Sequence, residues 1–195
     1  GWTETAGLMG GVRPTVFGTY FDVKTHINPP NTAYTAGALE LHTDTPAEEF
    51  APGIQFLHCR VNTVEGGDSL YADGVAVAND FRQRDPEGFK LLTEVPIPFY
   101  CEHDTYDARS RQYVIELDQH GEVEGLTISQ HMADIFYLAQ KLLDDYYPAV
   151  FLFGRILQDK KYTTRFLIHV RTCMTLDNPP ISHGPDTSPA YTLYP

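Results

Sequence analysis

The sequence predicts one mainly β domain with helices on its outside. Short runs of β-branched and aromatic residues recur along the chain, separated by turns rich in Gly, Pro and Asn. Helical periodicity is confined to a few segments, and strands do not alternate with helices as in a parallel βαβ sheet. A length of 195 residues suits one domain that buries about 70% of its unfolded surface.

Strands in the first half of the chain are predicted at residues 15–23, 53–61 and 69–72. Residues 26–31, HINPPN, form a loop because their prolines cannot donate to a sheet. Successive side chains in residues 53–61 point to two different faces, as on a sheet with one buried side. Helices follow at residues 75–84 and 86–92, the second beginning with Asp85 as N-cap and Pro86 as first residue.

Strands in the second half are predicted at residues 97–102, 113–118 and 123–128, and as a pair within residues 164–176. Residues 118–121 (DQHG) are typical of a hairpin turn. The strongest helical pattern covers residues 133–145, where apolar side chains recur every three or four residues. Pro148 is expected to close this helix because proline lacks the backbone N–H.

Composition narrows the function classes. The chain carries 14 Lys and Arg against 26 Asp and Glu, a net charge of −12. This charge disfavours nucleic acid and anionic membranes as partners and would attract a cationic substrate. Three scattered cysteines indicate neither a disulfide framework nor a structural zinc site. With no signal peptide and no apolar run of 18 residues, we expect a soluble intracellular protein, cytoplasmic or otherwise.

One triplet carries metal chemistry. His42 and Asp44 enclose Thr43, and two residues apart on a strand they project from one face while Thr43 turns away. A non-haem Fe(II) oxygenase uses two His and one carboxylate on one face of an octahedron. The triplet supplies two of these donors, so the third must come from elsewhere.

Residues 31–74 resemble the γ-butyrobetaine hydroxylase branch of the TauD/TfdA family of Fe(II)/2-oxoglutarate dioxygenases. The shared elements are Asn-x-x-Tyr, His-Thr-Asp, Pro-Gly-x-Gln-x-Leu-His-Cys and Gly-Gly-Asp-Ser-x-x-x-Asp-Gly. The resemblance resumes at residues 177–184, DNPPISHG, which are similar to the segment with the family's distal histidine. It implies a double-stranded β-helix (jelly roll) over residues 1–195, incomplete at both ends and without its final strand.

The resemblance also implies the site. His42, Asp44 and His183 would bind Fe(II), with 2-oxoglutarate and O₂ as co-substrates. The enzyme would hydroxylate an unactivated C–H bond of a small-molecule substrate, as in carnitine biosynthesis, and it would form homodimers. Residues at the matching substrate and cofactor positions are an aromatic cage of Phe17, Phe21 and Tyr34, a carboxylate contact at Asn31, and Leu57 beside 2-oxoglutarate. Aromatic faces suit a trimethylammonium group, which has no hydrogen-bond donor.

The sequence departs from the family after His183. No Arg or Lys occurs in the last twelve residues, where the family has an Arg that pairs with the far carboxylate of 2-oxoglutarate. The chain is then a fragment, a degenerate binding protein without catalysis, or an enzyme using another cation such as Arg165 or Arg171. A trimethyllysine hydroxylase-like enzyme is the nearest alternative activity, and a cupin-like metal protein a more distant one.

Overall fold

The computed structural model describes residues 2–15, 18–20, 40–61, 68–103, 105–177, 181–185 and 192–193, the last two ranges as backbone only. The helices in this part of the chain are α1 (Trp2–Met9), α2 (Gly74–Arg84), α3 (Pro86–Glu94) and α4 (Gln140–Leu157). The strands are β1 (Ile54–Val61), β2 (Ser69–Asp73), β3 (Ile97–His103), β4 (Tyr106–Gln112), β5 (Ile115–Leu117), β6 (Val123–Leu126), β7 (Thr163–Phe166), β8 (Cys173–Asp177), β9 (Ile181–Pro185) and β10 (Thr192–Leu193).

All strand pairs are antiparallel. One three-stranded sheet has the order β10-β1-β8 and another the order β7-β2-β9, while β3-β4 and β5-β6 are two-stranded hairpins. The central strands β1 and β2 thus each take a partner from more than 90 positions further along the chain. The expectation of a strand-rich fold with helices is confirmed at this level.

The main hydrophobic core is formed by helices α2, α3 and α4 together with strands β2, β5 and β6. Phe81 of α2 lies edge-on to Phe153 of α4, with ring centroids 5.4 Å apart, and Phe89 of α3 lies 6.4 Å from Phe81. The predicted cap of α3 is confirmed, because the Asp85 carboxylate accepts from Gly88 N at 2.9 Å and Pro86 is the first helical residue. None of the described helices is long and apolar enough to span a membrane.

The prediction of a helix at residues 133–145 ending before Pro148 is wrong. Ala133 instead pairs with Phe99 of β3, and Asp134 N donates to Pro98 O at 2.9 Å, which holds this segment extended. The helix begins at Gln140 and contains Pro148. Pro148 is exposed, so the carbonyl that loses its helical partner can turn to water, and burial of the opposite face of α4 offsets the cost of about 3 kcal/mol.

Other predicted bounds differ in part. Five further elements lie where the sequence predicts them: β1, β2, α2, β7 and β8. The predicted strand 113–118 is shorter in the structure and covers only Ile115–Leu117. Neither α1 nor β4 was predicted from the sequence. Of the predicted strand 15–23, the structure describes an isolated bridge between Thr15 and Gly18; most of its other residues and the loop at 26–31 lie outside the described residues.

Candidate metal centre

The His-Thr-Asp triplet lies outside the strands that the structure describes, contrary to expectation. Thr43 holds this segment on the chain that follows β6. Its backbone N donates to Ile128 O at 2.8 Å, and its hydroxyl accepts from Ile128 N at 3.0 Å while lying 3.3 Å from Ile128 O. The Thr43 hydroxyl therefore accepts the hydrogen bond from Ile128 N that a backbone carbonyl would accept in a sheet.

The loop after the triplet is held by side chains of β4. Thr45 has a φ of 53°, a left-handed conformation that turns the chain directly after Asp44. Ser110 Oγ donates to Pro46 O. Gln112 Nε2 donates to the carbonyls of Glu48 and Glu49 at 3.0 and 3.1 Å. These bonds hold the chain directly after Asp44 and so help to position the side chains of His42 and Asp44.

His42 and Asp44 face each other as predicted. His42 is buried, and its Nε2 lies 3.3 Å from Asp44 Oδ1. His42 Nδ1 lies 2.8 Å from Glu40 O; because a carbonyl only accepts, Nδ1 carries the proton. That tautomer leaves the Nε2 lone pair directed toward Asp44, the arrangement found in metal-binding histidines.

The electrostatics of the pair favour a cation between the two side chains. Burial by itself lowers the pKa of His42, but the hydrogen bond and charge of Asp44, together with the carbonyl of Glu40, outweigh burial and leave that pKa raised. A proton on Nε2 satisfies the pair in the absence of metal. A divalent metal ion satisfies it in the same way, in exchange for the proton.

The observed spacing fits two ligands of one metal ion. Ligands about 2.1 Å from a metal lie about 3.0 Å apart in octahedral geometry and about 3.4 Å apart in tetrahedral geometry, and the 3.3 Å between His42 Nε2 and Asp44 Oδ1 lies between these values. Among the residues whose side chains are described, no three His, Cys, Asp or Glu groups form a metal cluster. The third predicted ligand, His183, lies in β9, where its backbone pairs with Tyr71 of β2.

A second imidazole, that of His131, lies next to the pair and was not predicted. The rings of His42 and His131 are edge-on, with centroids 5.3 Å apart. Ser129, which is buried, places its Oγ 3.3 Å from His131 Nδ1. Burial and, after it, the neighbouring His42 lower the pKa of His131, which favours its neutral form. The sequence could not place His131 beside His42, because the two come together only through the bonds between Thr43 and Ile128, three residues before His131.

Gln55 of β1 is the second residue that the sequence did not single out. Its Nε2 donates to Asp44 Oδ2, the carboxylate oxygen turned away from the contact with His42. Because side chains alternate along a strand, Leu57 projects from the same face of β1 as Gln55. The predicted cofactor residue Leu57 thus lies on the side of β1 that faces Asp44, and it is partly buried.

The structure describes only some of the remaining residues that were predicted for the site. Phe17, Phe21, Asn31 and Tyr34 lie outside the described residues, and the side chain of His183 is likewise not described. Arg165 and Arg171, considered as alternative cations for 2-oxoglutarate, are both exposed. Their exposure agrees with solvated surface positions, the more common setting for arginine.

Comparison with known proteins gives a consistent family. The model of the taurine catabolism dioxygenase TauD, TfdA family matches residues 2–191. The chain is 34% identical over 175 residues to a gamma-butyrobetaine dioxygenase of Pseudomonas sp. (strain AK-1), covering 90% of this chain and 46% of that protein. It is 32% identical over 183 residues to the gamma-butyrobetaine dioxygenase of Homo sapiens, with the same two coverages. The chain therefore spans about half the length of these relatives.

Solved structures agree on the fold. A taurine dioxygenase from Burkholderia xenovorans superposes with a TM-score of 0.64 at 15% identity, over 94% of this chain and 62% of that one. PvcB, an Fe, alpha-ketoglutarate dependent oxygenase from an isonitrile synthetic pathway, superposes with a TM-score of 0.66 at 15% identity, over 99% and 67%. With the family match over nearly the whole sequence and two facing donors at the His-Thr-Asp triplet, the chain belongs to the TauD/TfdA dioxygenase family.

Proposed function

We propose that the protein is an Fe(II)- and 2-oxoglutarate-dependent dioxygenase that hydroxylates an unactivated C–H bond of a small trimethylammonium carboxylate such as γ-butyrobetaine. The observation that carries the proposal is the pair His42 Nε2 and Asp44 Oδ1, 3.3 Å apart, with the other ring nitrogen tied to Glu40. His183 is proposed as the third ligand, on a jelly roll with β1 and β2 in facing sheets. Sequence identity to two gamma-butyrobetaine dioxygenases supports the substrate class.

Each residue has a defined part in this proposal. Bound Fe(II), with 2-oxoglutarate and O₂, supplies the oxidising power for the hydroxylation. His42, in the tautomer set by Glu40, presents a neutral nitrogen donor, and Asp44 contributes the negative charge that attracts a divalent cation. Leu57 covers one side of the bound co-substrate and keeps water from it.

The proposed substrate site is an aromatic cage of Phe17, Phe21 and Tyr34 with Asn31 at the substrate carboxylate. Ring faces attract a quaternary ammonium group that cannot donate hydrogen bonds. Two of the three rings are Phe, whose quadrupole attracts cations less than that of Trp. The net charge of −12 raises the local concentration of a cationic substrate.

Trimethyllysine is the second candidate substrate. The trimethyllysine dioxygenase of Meyerozyma guilliermondii is 25% identical over 173 residues, covering 86% of this chain and 43% of that protein. Both candidates carry a trimethylammonium group and a carboxylate, so the cage residues do not separate them. Trimethyllysine also carries an amino group beside its carboxylate, which needs an acceptor that γ-butyrobetaine does not.

Anaerobic titration with Fe(II), with and without 2-oxoglutarate, tests the activity class. We expect a weak visible charge-transfer band that requires both additions, is absent in His42→Ala and His183→Ala, and persists in His120→Ala, where the lost imidazole lies in the exposed turn before β6. Loaded protein given O₂ and either substrate should form succinate in step with hydroxylated product. Iron binding without the band would favour the non-catalytic binding protein, and no iron binding would overturn the proposal.

A further inference from the structure

Gln55 holds one oxygen of the Asp44 carboxylate. Gln55 Nε2 donates to Asp44 Oδ2, while Asp44 Oδ1 faces His42 Nε2 at 3.3 Å. The two carboxylate oxygens thus have different partners. We infer that Gln55 is a positioning residue that restricts Asp44 to a single metal-binding oxygen, an inference that rests on the metal centre proposed above.

The two residues differ in how firmly the backbone holds them. Gln55 lies in β1, the central strand of its sheet, and pairs with Leu176 of β8. Asp44 lies at a bend outside the described strands, next to the left-handed Thr45. A donor on a rigid strand can therefore set the rotamer of a carboxylate on a less constrained segment, as supporting residues do around metal ligands.

The orientation of the Gln55 amide follows from Asp44. An ionised carboxylate only accepts hydrogen bonds, so the amide must turn its NH₂ toward Asp44 and its oxygen away. Gln55 Oε1 is buried and has no hydrogen-bond partner among the described residues. No described donor at Oε1 competes for the amide, and a buried acceptor without a partner is a feature that functional sites tolerate.

The number of carboxylate oxygens on the metal matters for this site. Carboxylates bind metals through one oxygen or through both. Two histidines and one carboxylate oxygen leave three of six octahedral positions open, as the facial arrangement of these oxygenases requires. A second oxygen from Asp44 would close one of them. By keeping Oδ2 in a hydrogen bond, Gln55 preserves the third open position.

Gln55→Met tests the inference, because Met has a similar length and cannot donate. Gln55→Leu repeats the test with a different shape. The matched control is Gln140→Met, which removes another glutamine amide that donates to an Asp carboxylate, Asp144 Oδ1 at 2.7 Å, on the exposed start of α4 away from Asp44. Co(II) is the probe metal: its affinity is measured by titration, its coordination by the intensity of its visible bands, and folding by thermal unfolding of the metal-free protein.

We expect both Gln55 variants to bind Co(II) about 10- to 100-fold more weakly than the unchanged protein, with altered band intensities. Gln140→Met should bind within about twofold of the unchanged protein, the result expected for a residue away from the metal. Unchanged affinity and spectrum in the folded Gln55 variants would overturn the inference while leaving the metal centre intact.

Two further results separate this inference from the metal centre itself. If the unchanged protein does not bind Co(II), or if Asp44→Ala binds it equally well, the metal centre fails and the role of Gln55 fails with it. If neither Gln55 variant folds, a crystal structure of the Co(II)-loaded unchanged protein decides. One Asp44 oxygen on the metal and the other within hydrogen-bond distance of Gln55 Nε2 would support the inference, and two oxygens on the metal would overturn it.

Discussion

Thr43 shows how a residue between two donors can position both. Its hydroxyl accepts from the N–H of Ile128 and lies near the carbonyl of the same residue, while the side chains of His42 and Asp44 meet each other at 3.3 Å. A β-branched side chain has few χ1 rotamers, so the hydroxyl is held with little loss of side-chain entropy. The middle residue of the triplet therefore anchors the segment, and the outer two remain available for metal.

Thr43→Val should lower the free energy of unfolding by about 1–3 kcal/mol, because Ile128 N then stays buried without its acceptor. Thr43→Ser keeps the hydroxyl and should lose less. Urea denaturation followed by circular dichroism measures both variants. A Val variant as stable as the unchanged protein would show that water or another group replaces the hydroxyl.

At the residue scale, the sequence identified donors more readily than their supports. The pair His42 and Asp44 could be predicted because their spacing is local and their residue types are rare as neighbours. Gln55 and His131 could not, since their roles depend on partners that lie 11 and 89 positions away in the sequence. A third ligand at His183 remains a prediction, because the structure describes only the backbone there.

At the scale of elements, local patterns succeeded where apolar side chains alternate or a cap is present. β1 and α3 are of this kind. β4 was missed because its sequence, YDARSRQ, has no apolar stripe, and only its pairing with β3 makes it a strand. The helix start at residue 133 was wrong because bonds to β3 hold that segment extended, a case of tertiary contacts overriding propensity.

Two helical glycines should respond oppositely to alanine. A Cβ at Gly88 would lie 2.3 Å from Asp85 Oδ2 and 3.0 Å from Ala149 Cβ of α4, so Gly88→Ala should disturb the α3 cap and the α3–α4 contact and cost about 1–3 kcal/mol. A Cβ at Gly154 meets nothing within 4 Å, so Gly154→Ala should stabilise by about 0.4–1 kcal/mol. Thermal and urea unfolding test both, and equal effects would contradict the packing of α3 on α4.

At the scale of the whole molecule, the net charge of −12 should make stability depend on salt. Carboxylates in excess repel one another in the folded chain, and the Debye length falls from about 30 Å at 0.01 M salt to about 8 Å at 0.15 M. The Tm should therefore rise by a few degrees over this range of NaCl at pH 7. Near the sequence pI of 4.9 the rise should disappear; a rise of equal size there would indicate specific ion binding.

The sequence predicted a single strand-rich domain with helices, but not its long-range strand order. The pairing of β1 with β8 and of β2 with β9 joins segments more than 100 positions apart, and alternation within a strand carries no information about its partner. Resemblance to the family implied a jelly roll but no particular strand partners, and the solved structures with TM-scores of 0.64 and 0.66 agree with this chain in overall fold.

Residues 45–50 have a further consequence, because side chains from β4 hold them and no strand ladder does. Segments of this kind open locally at a lower free energy than a helical core such as that of α2, α3 and α4. Proteases cut such segments in proportion to the open population, and Phe50 is 70% exposed at the end of this one. Resistance to proteolysis should therefore depend on this loop more than on the helical core. A ligand that binds both His42 and Asp44 should increase that resistance.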